Sequence, residues 1–267
     1  MGSMLQAVRS RVSRHVPGRV RLAVRRFQFR GAERYCPICR SHVSHFDALE
    51  TAAEVNERRK VVGAMRVPDD MCPICFSVSR QRLISLYLSD VLDLSGKRLL
   101  HMAPDWGLYF WLKGRAASYT SCDIDPSSYT VVHGVEYADI MAMPYPDDAF
   151  DVVLCSHILE HIPDDAGAIR ELRRITADDG VVLLMVPEAL DGEPTVEDPD
   201  INDPAEQERR FGQCDHVRIY ARGDFVARLE RNGFRVEEFD GYGQYPDRAR
   251  ELRLNPAERL WVAHPAG

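Results

Sequence analysis

No stretch of this chain approaches the roughly 18 consecutive apolar residues that a bilayer-spanning helix requires, and its start lacks the apolar core of a secretory leader. These absences set the expectation of a soluble, cytoplasmic protein with no membrane partner. The cysteines do not make an even disulfide set either. Four of the seven fall in two identical tetrapeptides. The odd remainder, Cys122, Cys155 and Cys214, argues for a reducing compartment over a disulfide scaffold. What is present is ordinary: 267 residues, 45% apolar and 28% charged, enough for one sizeable core plus a small appended module.

The net charge of −7 is unevenly spread. Residues 1–34 carry nine arginines against one acid, Glu33, and so stand at +8, leaving −15 for the rest. A basic arm on an acidic body suits nucleic acid, anionic lipid, or packing on the protein's own acidic surface or a partner subunit. No aromatic stacking platform is read alongside the arginines, so the last is preferred. Leu5, Val8, Val12 and Val16 recur at helical spacing, and Pro17-Gly18 interrupts them.

The two tetrapeptides are Cys36-Pro37-Ile38-Cys39 and Cys72-Pro73-Ile74-Cys75, separated by 32 residues. Two sulfurs three positions apart turn back onto one ion, and a pair of such knuckles offers the four thiolates of a tetrahedral Zn²⁺. With Cys36, Cys39, Cys72 and Cys75 all engaged, the metal has no open position and its expected role is structural. His42 and His45 are read as solvated loop histidines. Residues 35–96 are thus expected to form a zinc module with a helix over 47–59 and a connecting helix over 77–93.

From residue 97 the texture alternates. Apolar runs predict strands at 98–102, 117–122, 135–138, 150–156, 181–186, 235–239 and 260–264, with helices at 106–113, 164–175 and 224–232. Residues 188–215 lack a clear period and read as a long insertion. The expected fold is α/β, a doubly wound, mostly parallel seven-stranded sheet over residues 97–267. Ligands of such sheets bind beyond the carboxyl ends of the strands. Asp105, Asp123, Asp139 and His157 each follow an apolar run there. Asp123, 22 residues after His101, is placed to accept the hydroxyls of a ribose. Asp139 is placed for an exocyclic amine, with Ile140 over the ring.

The segment Met143-Pro144-Tyr145-Pro146, then Phe150-Asp151-Val152-Val153, then Leu159-Glu160-His161 resembles the class I S-adenosylmethionine-dependent methyltransferases, in particular their type 11 group. The resemblance covers residues 97–264, and the Cys₄ module resembles a zinc-bearing subgroup of that superfamily. It implies that Asp123 with Ile124 holds the ribose, Asp139 with Ile140 the adenine, and Ser156 and His157 flank the cofactor. The family's first loop, acid-x-Gly-x-Gly-x-Gly, is here His101-Met102-Ala103-Pro104-Asp105-Trp106-Gly107. Only Gly107 survives, His101 stands in the acid's place, Ala103 substitutes a glycine, and Asp105 is the carboxylate available to face the methionine ammonium. Among titratable groups His216, oriented by Asp215, suits general-base work near neutral pH. The resulting expectation is methyl transfer from S-adenosylmethionine to an O or N of a small natural-product or sugar-like molecule. The competing expectations are an RNA methyltransferase gripping its substrate with the arm and zinc module, a non-catalytic scaffold, and a non-methylating enzyme.

Overall fold

A computed structural model describes residues 18–49 and 53–267. The proposed helix through Leu5 and Val16 lies outside the described residues. The central sheet has seven strands: β5 (Arg98–Met102), β6 (Ser118–Asp123), β7 (Val135–Tyr137), β8 (Phe150–Ser156), β9 (Thr176–Met185), β13 (Phe234–Phe239) and β14 (Leu260–Pro265). Their order is β13-β14-β9-β8-β5-β6-β7, parallel except for β14, which runs against both neighbours. The chain winds outward from β5 in one direction and then returns to β8 on its other side. That reversal puts the switch point between β5 and β8.

The central strands β8 and β9 carry the apolar runs Val152-Val153-Leu154 and Val181 to Met185 because both faces are covered there. On one face Leu99, Val152, Leu154, Val181 and Leu183 pack under the Ser79–Asp90 and Trp106–Leu112 helices. On the other, Leu100, Val153, Cys155, Val182 and Leu184 meet Ile169 and Leu172 of the Asp165–Ile175 helix and Phe225 and Leu229 of the Arg222–Arg231 helix. The alternation follows from the two-residue side-chain period of a strand.

Ahead of the sheet lies the cysteine module. Strands β1 (Arg34–Cys36) and β2 (Ser41–Val43) form a hairpin around the first knuckle. Strands β3 (Asp47–Leu49) and β4 (Val67–Met71) pair antiparallel beside the second. The helix expected over 47–59 is therefore a strand followed by a short helix, Glu54–Arg58. Local propensity loses there to long-range pairing, and Asp69 fixes the strand's start by accepting from the Phe46 N–H at 3.1 Å. Phe27 and Phe29 do accompany the arginines of the basic segment, contrary to the sequence reading. They are used internally: Arg25 lies over the rings of Phe29 and Phe76 and donates to the Pro73 carbonyl, while Arg30 covers Phe27. Arg25 thus packs against aromatic rings and a backbone carbonyl of the protein itself.

The 188–215 segment is also more ordered than its lack of period suggested. It contains β10 (Glu188–Ala189), β11 (Val196–Glu197) and a helix, Pro204–Phe211, and with β12 (Arg218–Ala221) makes a three-stranded sheet. The helix signals were present: Asp203 caps Glu206, Pro204 occupies the first turn, and Gly212 ends it at φ +88°. A Cβ at Gly212 would meet the Asn56 side chain at 2.2 Å, so the insertion closes directly onto the module's connector.

Module and sheet are joined by Arg82, wholly buried, which donates to the carbonyls of Asp70, Ser77, Leu252 and Arg253 and to the Asp70 carboxylate. Beside it, buried Glu258 accepts from the Ser79 hydroxyl at 2.5 Å. Burial pushes the Glu258 carboxyl up to about 7, against the pull of the Ser79 hydrogen bond. Between the ordinary 4.5 and about 7 the folded chain holds a proton that the unfolded chain has lost. This contribution to stability is full below 4.5 and disappears as pH rises through about 7. Glu258→Gln keeps an acceptor for Ser79 and removes the ionisation. Urea denaturation should show the variant more stable than wild type at pH 8, by on the order of 3 kcal/mol, with the two converging at pH 4.5. Parallel curves would refute the assignment.

Candidate functional site at the carboxyl edge of the sheet

The chain leaves β5 through Ala103, held at φ +44°, a left-handed conformation that glycine adopts without strain. The loop thus keeps the geometry of a glycine turn with an alanine in it. His101 is buried, bonded through Nδ1 to the Tyr119 hydroxyl at 2.8 Å, and burial pushes its pKa down to about 3, so the ring is neutral. Asp105 caps the following helix, accepting from the Leu108 N–H at 3.1 Å, and burial raises its carboxyl against that bond and the field of Arg80. Its expected place facing an ammonium is thus combined with a capping duty. Gly107 sits where a Cβ would lie 3.2 Å from Ile38 and 3.5 Å from the Cys75 carbonyl, so both knuckles press on the start of this helix.

At the end of β6, Asp123 accepts from the Asp125 N–H at 2.8 Å and the Tyr129 hydroxyl at 2.7 Å, one bond to each oxygen. Each oxygen keeps a lone pair for a further donor. Ile124 beside it is exposed. Past β7, Asp139 accepts from the Met141 N–H, and Ile140 is buried against Met102 and Cys122 in the core. Ala103, Asp123 and Asp139 follow three adjacent strands at one edge, and this arrangement fits a nucleoside cofactor such as S-adenosylmethionine.

Across the switch point β8 ends at half-buried Ser156, followed by His157 at φ +56°, whose N–H donates to the Met185 carbonyl at 2.8 Å. His157 Nδ1 is 3.3 Å from a carboxylate oxygen of Glu160, which is wholly buried. A Cβ at Gly63 would come within 2.9 Å of the His157 ring, so the connector from the cysteine module covers this corner. The 158–163 segment is clamped by Arg218, 1% exposed, which donates to the carbonyls of Leu159, Ile162 and Pro163. Val217 N–H takes the Glu160 carbonyl at 3.0 Å. His216 lies next to this clamp, 1% exposed, its ring edge-on to His161 with centroids 4.6 Å apart. Asp215 does not orient it. That carboxylate is exposed and lies 3.4 Å from His161 Nδ1.

Seven buried side-chain atoms lack any hydrogen-bond partner among the described residues: both carboxylate oxygens of Glu160, both ring nitrogens of His216, Trp106 Nε1, Asn56 Oδ1 and Arg59 Nη1. Unpartnered buried groups are costly and uncommon. Here they gather on the first loop, the connector and the β8 corner. Sequence reasoning passed over Glu160, Arg218 and Trp106. Glu160 was legible in Leu159-Glu160-His161, whereas nothing local marks Arg218.

The four knuckle sulfurs converge. Cys36 and Cys75 are 3.6 Å apart, Cys39 and Cys72 3.8 Å, and all four lie within 4.8 Å of one another. Zinc–sulfur bonds of 2.3 Å in a tetrahedron imply sulfur separations of about 3.8 Å. The Cys36 thiol is pushed down by its sulfur neighbours while Cys72 and Cys75 are pushed up. Four thiols this close ionise together only with a cation among them. The donor set fits Zn²⁺. His42 and His45 are exposed, as expected.

A family model described as a methyltransferase domain matches residues 78–238. The chain belongs to that family, and its sheet is the Rossmann-like sheet of the class I S-adenosylmethionine-dependent methyltransferases, bearing out the resemblance read from the 143–161 motif. Among curated relatives, 27-O-demethylrifamycin SV methyltransferase of Amycolatopsis mediterranei is 32% identical over 116 residues, covering 41% of this chain and 38% of that protein. Ubiquinone biosynthesis O-methyltransferase of Xanthomonas oryzae pv. oryzae is 33% identical over 110 residues, covering 37% and 46%. The chain spans less than half the length of the curated relatives it matches. The solved YcgJ protein of Bacillus subtilis aligns with 70% of this chain and 100% of its own at 18% identity and a TM-score of 0.47.

Purified protein should carry one zinc in the knuckles, and Cys72→Ser should lose it along with thermal stability, because a structural metal contributes folding energy. Elemental analysis checks the metal and a melting curve the stability. Zinc-free wild type with four titratable knuckle thiols would refute the site.

Proposed function

We propose that the chain transfers a methyl group from S-adenosylmethionine to an oxygen or nitrogen of a small molecule, natural-product- or sugar-like in character. The observation that carries this reading is the opposition across the switch point. Carboxylates suited to a nucleoside end β6 and β7, and a buried, unpartnered Glu-His cluster follows β8. When bound, the cofactor supplies a methyl carbon on a positively charged sulfur. Asp123 takes the ribose hydroxyls with its free lone pairs, and Asp139 takes the adenine amine beside Ile140. His101, Ala103, Asp105 and Gly107 shape the loop under the methionine end, and Ser156, His157 and Ile124 border the site.

An acceptor held in line with that methyl carbon would meet the geometry that displacement from a sulfonium requires. The chain's work is alignment and exclusion of water. The connector and the 188–215 insertion supply the wall through Val55, Val61, Ala189 and Phe211, which form one apolar cluster. Burial lowers the His216 pKa, so the ring is neutral at neutral pH and able to accept the proton the acceptor loses. The named activities of the two relatives, on a rifamycin and in ubiquinone biosynthesis, agree with a small-molecule acceptor. The inward packing of Arg25 also takes one arginine away from any nucleic-acid surface.

Calorimetry with S-adenosylmethionine tests the cofactor half. Asp123→Ala should weaken binding by about 2 kcal/mol, the scale of lost charge-assisted hydrogen bonds, and Asp139→Ala by less. An unchanged dissociation constant in Asp123→Ala would remove that carboxylate from the site. On the acceptor side, His216→Ala should leave cofactor affinity nearly intact and lower turnover about 10²-fold. Equal turnover of variant and wild type across pH 5–8 would return His216 to a packing role.

A further inference from the structure

Glu160, His161 and His216 stand apart from the cysteine knuckles, and their chemistry exceeds what proton transfer needs. One donor atom from each lies within 4.8 Å of the others. Three donors at that limit share a centre about 2.8 Å from each, so side-chain shifts of under about 1 Å bring all three to the 2.0–2.2 Å of metal–nitrogen and metal–oxygen bonds. Both Glu160 oxygens and both His216 nitrogens are buried without a hydrogen-bond partner among the described residues. A site evolved only for packing does not leave a buried carboxylate beside an unpartnered imidazole, because each costs roughly 1–3 kcal/mol or more.

We propose that these three residues form a second metal centre, taking a divalent first-row transition ion. Two imidazoles and one carboxylate favour zinc, iron, cobalt or manganese over magnesium or calcium, which prefer all-oxygen shells. His157, 3.3 Å from a Glu160 oxygen, orients the carboxylate from outside the ligand set. His161, whose side chain is 30% exposed, gives the ion a path in. Three protein ligands leave a position open, in contrast to the closed Cys₄ site. On the methyl-transfer reading, and resting on it, that position takes a hydroxyl oxygen of the acceptor, and His216 serves as a ligand in place of the proton acceptor named above. The acceptor class narrows to alcohols or phenols whose proton the ion makes easier to lose.

Cobalt(II) titrated into the zinc-replete full chain tests the centre without reference to turnover. Calorimetry should show one equivalent bound in wild type, with no thiolate-to-cobalt charge-transfer band in the absorption spectrum, since that band would mark entry into the knuckles. His161→Ala and His216→Asn should each weaken uptake by about 10²-fold, and Cys214→Ser, at an exposed neighbour, should leave it unchanged. His161 is partly exposed, so its variant carries the test if His216→Asn fails to fold, and near-ultraviolet circular dichroism monitors both. Absence of cobalt uptake by folded wild type, or undiminished uptake by His161→Ala, would overturn the proposal. S-adenosylmethionine titrated into the same samples separates the two readings. Cobalt bound without cofactor binding would sink the methyl-transfer reading and leave the centre standing, and cofactor binding without cobalt uptake would do the reverse.

Discussion

A single buried guanidinium sets how the two parts of this protein meet. Arg82 is desolvated completely, and its donors are spent on four backbone carbonyls and one carboxylate drawn from β4, the second knuckle and the segment ahead of β14. A planar fork of fixed geometry tolerates little sliding among its partners. The knuckles are thereby held at one distance from the sheet, and the pressure of Ile38 and Cys75 on the helix after β5 follows from it. Burying such a charge is costly, and its worth lies in registration more than in net stability.

The same logic of charge in a dry place organises the opposite corner. Arg218 is nearly as buried as Arg82 and holds three carbonyls of the short 158–163 segment. It fixes that segment, and with it the directions of Glu160 and His161. Around the corner the pattern inverts: polar atoms are buried and left without hydrogen-bond partners among the described residues. Arg82 and Arg218 spend their donors on backbone, whereas His216 keeps both ring nitrogens unpartnered, a contrast between scaffold and site.

Much of this was legible in the chain. The bounds of strands β5 and β8 follow from the sequence through Leu99-Leu100 and Val152-Val153-Leu154, and Ile169, Leu172 and Ile175 mark the Asp165–Ile175 helix. Asp123 and Asp139 stand out in the sequence because strand ends in a parallel sheet are where ligands go. The failures share a cause. Residues 47–49 became a strand through partners some 20 residues away, which no local period records. The Pro204–Phe211 helix buries only Gln207 and Phe211, too few apolar positions to show a stripe, although Asp203, Pro204 and Gly212 marked its ends. The glycine-poor first loop looked degenerate as letters, yet Ala103 holds the left-handed backbone a glycine would hold. Conformation persisted there where residue identity did not.

The contact at Gly107 bears on how such a protein is inherited. A side chain at that position would have to share space with Ile38, in the first knuckle, and with the backbone of Cys75, in the second. The sizes tolerated at 107 and at 38 are therefore set jointly, across a boundary that a parts list would draw between two domains. An exchange that replaced the cysteine module with a relative's, leaving the sheet untouched, would bring a foreign knuckle against an unmatched helix. The cysteine module and the helix after β5 are best exchanged as one piece.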